Sequence, residues 1–198
     1  RPSNEKNILS LPILANEFKT LNCKYYFSKT LQITHIYSIA MLFSDDEALL
    51  QIFIHCKFLQ TLHVTDCFAL TDKPFNTIRK DYTSALISLV DFDFSMCHLM
   101  GDDTLICLGE HATNLTSLCC SKTQITDDSI VNYVAPNCTE LRRLHMDECK
   151  SLTAASIEVT TASIFDRIEY VSCVVYGVEQ IRTLLTPVKF SQQRNIYW

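Results

Sequence analysis

A spaced set of apolar residues recurs along this chain and constrains its fold more than any other feature. Counted from Cys56, the residues Leu59, Leu62, Val64, Cys67 and Leu70 stand at offsets 3, 6, 8, 11 and 14, with Phe75 at 19. Counted from Leu86, the residues Leu89, Phe92, Phe94, Cys97 and Met100 stand at the same five offsets, with Leu105 at 19. Cys138 starts another copy with Leu141, Leu144, Met146, Cys149, Leu152 and Ile157. Ala112 starts a fourth with Leu115, Leu118, Cys120 and Thr123, then Ile125 one place early and Ile130. A degenerate copy begins near Phe165 with Ile168, Val171, Cys173 and Tyr176, and a weaker one precedes the set with Leu31, Ile33, Ile36 and Ile39. The starts at 56, 86, 112, 138 and 165 are 30, 26, 26 and 27 residues apart. Units of this length cannot bury an apolar face alone, so the period predicts a stack of them.

Each position in the unit has a physical reading. Alternation such as Leu62-x-Val64 predicts a short strand with one face buried. Strands are expected over 61–65, 91–95, 117–121, 143–147 and 170–173, stacked in parallel. Offset 11, held by Cys67, Cys97, Thr123 and Cys149, is expected to turn inward, where a small side chain meets backbone amides. The Thr71-Asp72, Gly101-Asp102, Thr126-Asp127 and Thr153-Ala154 pairs follow. Where these carry oxygen-bearing side chains, they are expected to cap the helix after them. Phe75 and Ile78, Leu105 and Leu108, and Ile130 and Tyr133 then carry helical spacing. Ser44-Asp45-Asp46-Glu47 also reads as a helix start, since negative charge is favourable there.

The segments Cys56-Lys-Phe-Leu-Gln-Thr-Leu-His-Val-Thr-Asp-Cys67 and Cys138-Thr-Glu-Leu-Arg-Arg-Leu-His-Met-Asp-Glu-Cys149 resemble the leucine-rich repeat pattern L-x-x-L-x-L-x-x-[Cys/Asn]. More narrowly they are similar to its cysteine-containing class, typical of intracellular F-box/leucine-rich-repeat proteins and their relatives. The resemblance covers residues 56 to 176 clearly and reaches back to 25 through the weaker copy. It implies an α/β fold: a right-handed leucine-rich repeat solenoid with parallel strands on the concave face and helices on the convex face. Residues 1–24 then read as an N-terminal helical cap or the remnant of a preceding segment, 25–176 as the repeats, and 177–198 as a C-terminal cap and tail. The stretch from Ile8 to Phe18, with Leu11-Pro12, is similar to the start of an F-box, although the chain's single Trp is Trp198. The tail is apolar at Phe190, Ile196, Tyr197 and Trp198.

Composition narrows the function. A net charge of −5 and a pI near 5.6 argue against a nucleic-acid partner held by a basic face. Three glycines leave little for a phosphate-cradling loop. Ten cysteines without a single C-x-x-C lack the basic unit of a zinc ribbon. Seven of them (Cys56, Cys67, Cys97, Cys120, Cys138, Cys149 and Cys173) sit on core offsets, where a free thiol packs as a small hydrophobe. A reducing, intracellular compartment is the simpler expectation, cytoplasmic or mitochondrial. The first residue is Arg1 rather than Met, which fits a removed import presequence among other origins. No apolar run reaches the roughly 18–20 residues of a membrane span. The sequons Asn114-Leu-Thr116 and Asn137-Cys-Thr139 are short enough to arise by chance.

Offsets 5, 7 and 9 point away from the core on the strand face. They present Thr61, His63 and Thr65, then Asp91, Asp93 and Ser95, then Ser117, Cys119 and Ser121, then Arg143, His145 and Asp147, then Tyr170, Ser172 and Val174. The candidate partner-binding residues are Thr61, His63, Asp91, Asp93, Ser117, Cys119, Arg143, His145, Asp147 and Tyr170. A sharper chemistry is also written in the middle row. Asp93, Cys119 and His145 could ligate a metal, or Cys119 and His145 could act as nucleophile and base. Against it, a flat row about 4.8 Å per strand spaces side chains rather than converging them. The expected function is a non-catalytic protein–protein interaction module, a structural or scaffolding subunit of a stable multi-subunit assembly. No cofactor, metal or small-molecule substrate is expected. The resemblance also implies an alternative, the substrate-recognition subunit of a cullin-type (SCF) ubiquitin ligase. A metal- or thiol-dependent enzyme on the concave face is the third reading.

Overall fold

Each repeat from 56 onward places one three-residue strand in a single parallel sheet. The computed structural model describes residues 35–36, 45–153, 155–156 and 168–173. The caps expected over 1–24 and 177–198 lie outside these residues. The strands are β1 (His35–Ile36), β2 (Thr61–His63), β3 (Asp91–Asp93), β4 (Ser117–Cys119), β5 (Arg143–His145) and β6 (Tyr170–Ser172). They pair in chain order, all parallel. Leu62, Phe92, Leu118, Leu144 and Val171 are successive partners in register. Ile36 pairs with Leu62, so the weak leading copy does supply a strand, and its Ile36 takes the same offset.

Helices fill the connections. α1 spans Asp46–His55, α2 Lys73–Asp81, α3 Ser84–Ser88 and α4 Asp102–His111. The next helix is composite: α5 (Asp127–Ser129), a π-helical turn at Ile130–Val134, and α6 (Ala135–Asn137). Pro136 accounts for the wide turn, because it has no N–H to donate and its ring crowds the carbonyl four residues back. α1 packs on α2, α2 on α4, and α4 on the π turn. Between sheet and helices lies one apolar core, with Leu59, Leu62, Phe92, Leu118 and Leu144 at 0% exposure. An edge-to-face pair of Phe53 and Phe75, at 5.4 Å, continues through Phe92 to Phe94. The fold is thus α/β, a parallel sheet covered by helices. Among the described residues no helix is long and apolar enough to cross a membrane.

The strands are shorter than the five residues expected for most of them. At offset 10 each of the four clear units turns through a left-handed residue: Asp66, Met96, Lys122 and Glu148 have φ between 57° and 64°. That conformation ends the strand geometry, at a cost for a residue with a Cβ. Backbone bonding between units nevertheless continues beyond the strand as far as that residue, as from Val64 N–H to Asp93 C=O and from Asp66 N–H to Ser95 C=O.

Two expectations about the turn need correction. Asp72, Asp102 and Asp127 do not cap their own helices. The oxygen that does meet an orphan N–H is that of the Thr, as where the Thr71 hydroxyl accepts from Lys73 N–H at the start of α2 and the Thr153 hydroxyl from Ala155 N–H, both at 3.2 Å. Asp45 is the true N-cap, accepting from Ala48 N–H at 3.1 Å. The other carboxylates reach forward to the next repeat instead. Asp46 accepts from the N–H and hydroxyl of Thr71, both at 2.7 Å, and Asp102 from those of Thr126, both at 2.8 Å. Asp72 accepts from Gly101 N–H and the Thr104 hydroxyl, and Asp127 from Thr153 and the Ser156 hydroxyl. The result is a ladder of charge-assisted bonds that ties each unit to its successor. Asp102→Ala is expected to cost about 1–3 kcal/mol, because two donors lose a charged acceptor. Chemical denaturation would show it; an unchanged midpoint would mean that the ladder carries no load.

The second correction concerns offset 11. Its thiols meet backbone amides as expected, Cys149 those of Thr123 and Lys122, but they also donate to carbonyls. Cys97 Sγ donates to Val64 C=O at 2.9 Å and Cys149 Sγ to Cys120 C=O at 3.1 Å. The Thr123 hydroxyl donates to Cys120 C=O at 2.6 Å. A small donor satisfies a buried carbonyl left over where the strand ends, which Cys and Thr both do. The nine described cysteines are free thiols. Burial pushes Cys56, Cys107 and Cys138 up to about 12, so they stay protonated.

Candidate functional site

The parallel register carries the outward residues into rows. One row reads Thr61, Asp91, Ser117, Arg143 and Tyr170. The next reads His63, Asp93, Cys119, His145 and Ser172. These ladders match the order read from the sequence. Exposure along them is uneven: Arg143 is exposed, while Thr61 and Ser117 are covered, at 7% and 9%. His63, Asp91, Asp93, Cys119, His145, Asp147 and Tyr170 are half-buried. Thr61 and Ser117 therefore offer less surface than their neighbours in the row.

The strands bring three groups of side chains together. At the β2–β3 end His63 Nε2 lies 3.5 Å from Asp91 Oδ1. The hydrogen bond to Asp91 holds the His63 imidazole above its usual range, against an opposing push from burial. Burial drives the Asp91 carboxyl up, but the His63 bond and charge, with Ser117 and Arg143, outweigh it and hold it below the ordinary value. The two signs define a window. The raised His63 stabilises the fold fully below its unfolded value near 6.5, and that gain is lost as pH rises through the folded value. The depressed Asp91 contributes above about 3.9, and its gain is lost as pH falls through its lower folded value. A proton-detected titration of the imidazole should place His63 above 6.5, and Asp91→Asn should lower it. An unmoved His63 in that variant would show that the pair is not formed.

In the centre, Ser95 Oγ lies 2.8 Å from Cys119 Sγ, and Ser121 Oγ accepts from Asp147 N–H at 3.0 Å. Asp93 Oδ1 accepts from Ser95 N–H at 2.9 Å. Burial pushes the Cys119 thiol up, against hydrogen bonds from Ser95 and Ser121 that pull it down. At the far end the His145 and Tyr170 rings lie 4.6 Å apart at 34°. Burial holds the His145 imidazole below its usual range, against the pull of Asp147 and Asp93. Both Asp147 oxygens accept from the Ser172 hydroxyl at 2.6 Å.

Asp93, Cys119 and His145 are neighbours in register but do not converge. Among the described residues no group of three His, Cys, Asp or Glu side chains is placed to hold a metal. Ser95, Ser121 and Ser172 were not singled out as site residues, yet they bond the charged and thiol side chains of the face. Their offsets, 9 and 7, were the available signal, since they repeat those of Asp147 and Cys119.

No protein-family model matches the chain. No curated protein matches it either. Among solved structures, it is similar to a chain in the crystal structure of the Rad7 and Elc1 complex in yeast, with a TM-score of 0.53 and 16% identity. The similarity covers 83% of this chain and 35% of that one, so this chain spans about a third of its neighbour's length. A likeness at this identity is one of fold.

Proposed function

We propose that the chain is a right-handed leucine-rich repeat solenoid and that it works as a non-catalytic interaction module, holding other proteins within a larger assembly. The carrying observation is the group at the β5–β6 end of the strand face. Arg143 is exposed beside the paired rings of His145 and Tyr170, and none of the three belongs to the apolar core. Arg and Tyr are favoured anchors where proteins meet, and the fold itself does not need them there. The chain-order parallel sheet and the repeat period support the solenoid. The neighbouring fold was itself crystallised as a complex of two proteins. The thiol-enzyme reading is weakened by the high Cys119 pKa and by its bond to Ser95 rather than to His145. The ubiquitin-ligase version needs an F-box, and the segment similar to one lies outside the described residues.

Two variants test the reading. Asp93→Lys and Tyr170→Ala should leave the melting temperature within a few degrees, while co-purification of the native partner from the source cells falls at least tenfold. Binding that survives both substitutions and disappears on deletion of residues 190–198 would move the site to the tail and overturn the strand face.

A further inference from the structure

The carboxylates of the strand face are already engaged within the chain. Asp91 Oδ1 lies 3.5 Å from His63 Nε2. Asp93 Oδ1 accepts from Ser95 N–H at 2.9 Å, and both Asp147 oxygens accept from the Ser172 hydroxyl at 2.6 Å. Cations beside the face are taken in the same way. Arg142 Nη1 lies 3.3 Å from Glu169 Oε1, and Lys122, on the turn after β4, lies 3.4 Å from Glu148.

Arg143 is the exception. Among the described residues it is the one Arg or Lys in the outward rows. It is exposed, and no ion pair or hydrogen bond among those residues holds its guanidinium. Asp91, two strands away, feels its charge, but that carboxylate bonds to His63 and Ser117. Across β5 and β6, Arg143 is in register with Tyr170, whose ring lies 4.6 Å from that of His145. A guanidinium free to fork around an anion therefore stands beside a pair of half-buried rings.

We propose that this end of the strand face binds an acidic segment of a partner protein, with a Glu or Asp side chain forking onto Arg143 and an adjacent aromatic or aliphatic side chain packing on His145 and Tyr170. The proposal rests on the interaction-module reading and names the chemistry of the partner at that same site. Charge complementarity selects an anion. A basic segment finds less, because Asp91, Asp93 and Asp147 each already hold a donor of this chain. The net charge of −5 repels an acidic partner only at long range. Salt at about 0.15 M screens that repulsion beyond about 8 Å, whereas a forked pair at contact is screened far less. Phosphate recognition ordinarily draws on a cluster of Arg, and Arg143 stands alone on this face.

The test uses the full chain and fluorescein-labelled peptides read by fluorescence anisotropy. Gly-Glu-Phe-Glu-Leu-Glu is the probe, and Gly-Gln-Phe-Gln-Leu-Gln keeps its shape without its charge. The acidic peptide should bind, and its amide counterpart at least about tenfold more weakly. Arg143→Gln should weaken the acidic peptide about tenfold. Arg142→Gln, on the neighbouring residue that turns to Glu169, should leave it within about twofold. Both positions are exposed, so circular dichroism should show an unchanged fold. Absence of binding by the acidic peptide, equal affinity for the two peptides, or full binding by Arg143→Gln would overturn the proposal. A phosphoserine peptide of the same pattern that binds more than about tenfold tighter through Arg143 would also overturn it and give the site to a phosphorylated partner. So would a concentration-dependent dimer in sedimentation that Arg143→Gln dissolves, since a second copy would then own the face. Peptide results and partner co-purification separate the two readings. Loss of the native partner in Tyr170→Ala, with no acidic-peptide binding by the parent chain, removes the acidic segment and leaves the module. Acidic-peptide binding that depends on Arg143, with the native partner kept by Tyr170→Ala, supports the acidic segment and removes the module from this face.

Discussion

Leu118→Ala and Leu144→Ala are each expected to destabilise the chain by about 2–5 kcal/mol, the range for buried Leu truncations whose cavities collapse poorly. Both side chains are fully buried on central strands. Leu118 is in register with Phe92 on one side and Leu144 on the other, and Leu144 with Leu118 and Val171. A strand held on both sides cannot shift to fill a void, so the lost contacts are not regained. Val171 offers the contrast. It is half-buried on β6, and Val171→Ala should cost less than either Leu truncation. Urea denaturation of the three variants measures the order. A loss under about 1 kcal/mol for Leu118→Ala would place its side chain outside the core and shift the register by one residue.

That register was legible because it depends on alternation alone. Once Leu62, Phe92, Leu118 and Leu144 share an offset, their outward neighbours His63, Asp93, Cys119 and His145 must share the next row. The turn was less legible, for reasons of distance. A capping rule reads a carboxylate against the three residues after it, whereas Asp102 bonds to Thr126, 24 residues on. No local pattern distinguishes the two uses, and only the stacking of units brings the donor close. The left-handed residues were hidden because Asp66, Met96, Lys122 and Glu148 share no chemistry; only their common offset marks them. At the strand face, residue types and rows were readable but contacts were not. Whether Asp91 meets His63 or Arg143 depends on side-chain choices that a spacing pattern does not contain.

Gly109→Ala sets helix propensity directly against packing, and packing should win. Gly109 is buried within α4, where Ala in place of Gly would ordinarily add about 1 kcal/mol of stability. Here a Cβ would lie 2.7 Å from the Tyr133 carbonyl oxygen, 2.8 Å from its carbon and 2.9 Å from its Cβ. Two of those atoms are backbone, on a π turn already widened ahead of Pro136, so they cannot swing aside as a flexible side chain would. The contact between α4 and that turn must open, and overpacking of this kind costs about 1–3 kcal/mol or more. Gly109→Ala is therefore expected to lower stability despite its better propensity. Gly109→Val, which adds bulk and loses propensity, should cost about 3 kcal/mol or more. Thermal melts of the two variants beside the parent chain decide the matter. A stabilised Gly109→Ala would mean that α4 stands farther from the π turn than these distances allow, and that the helical layers of the second and third clear repeats are not in close contact.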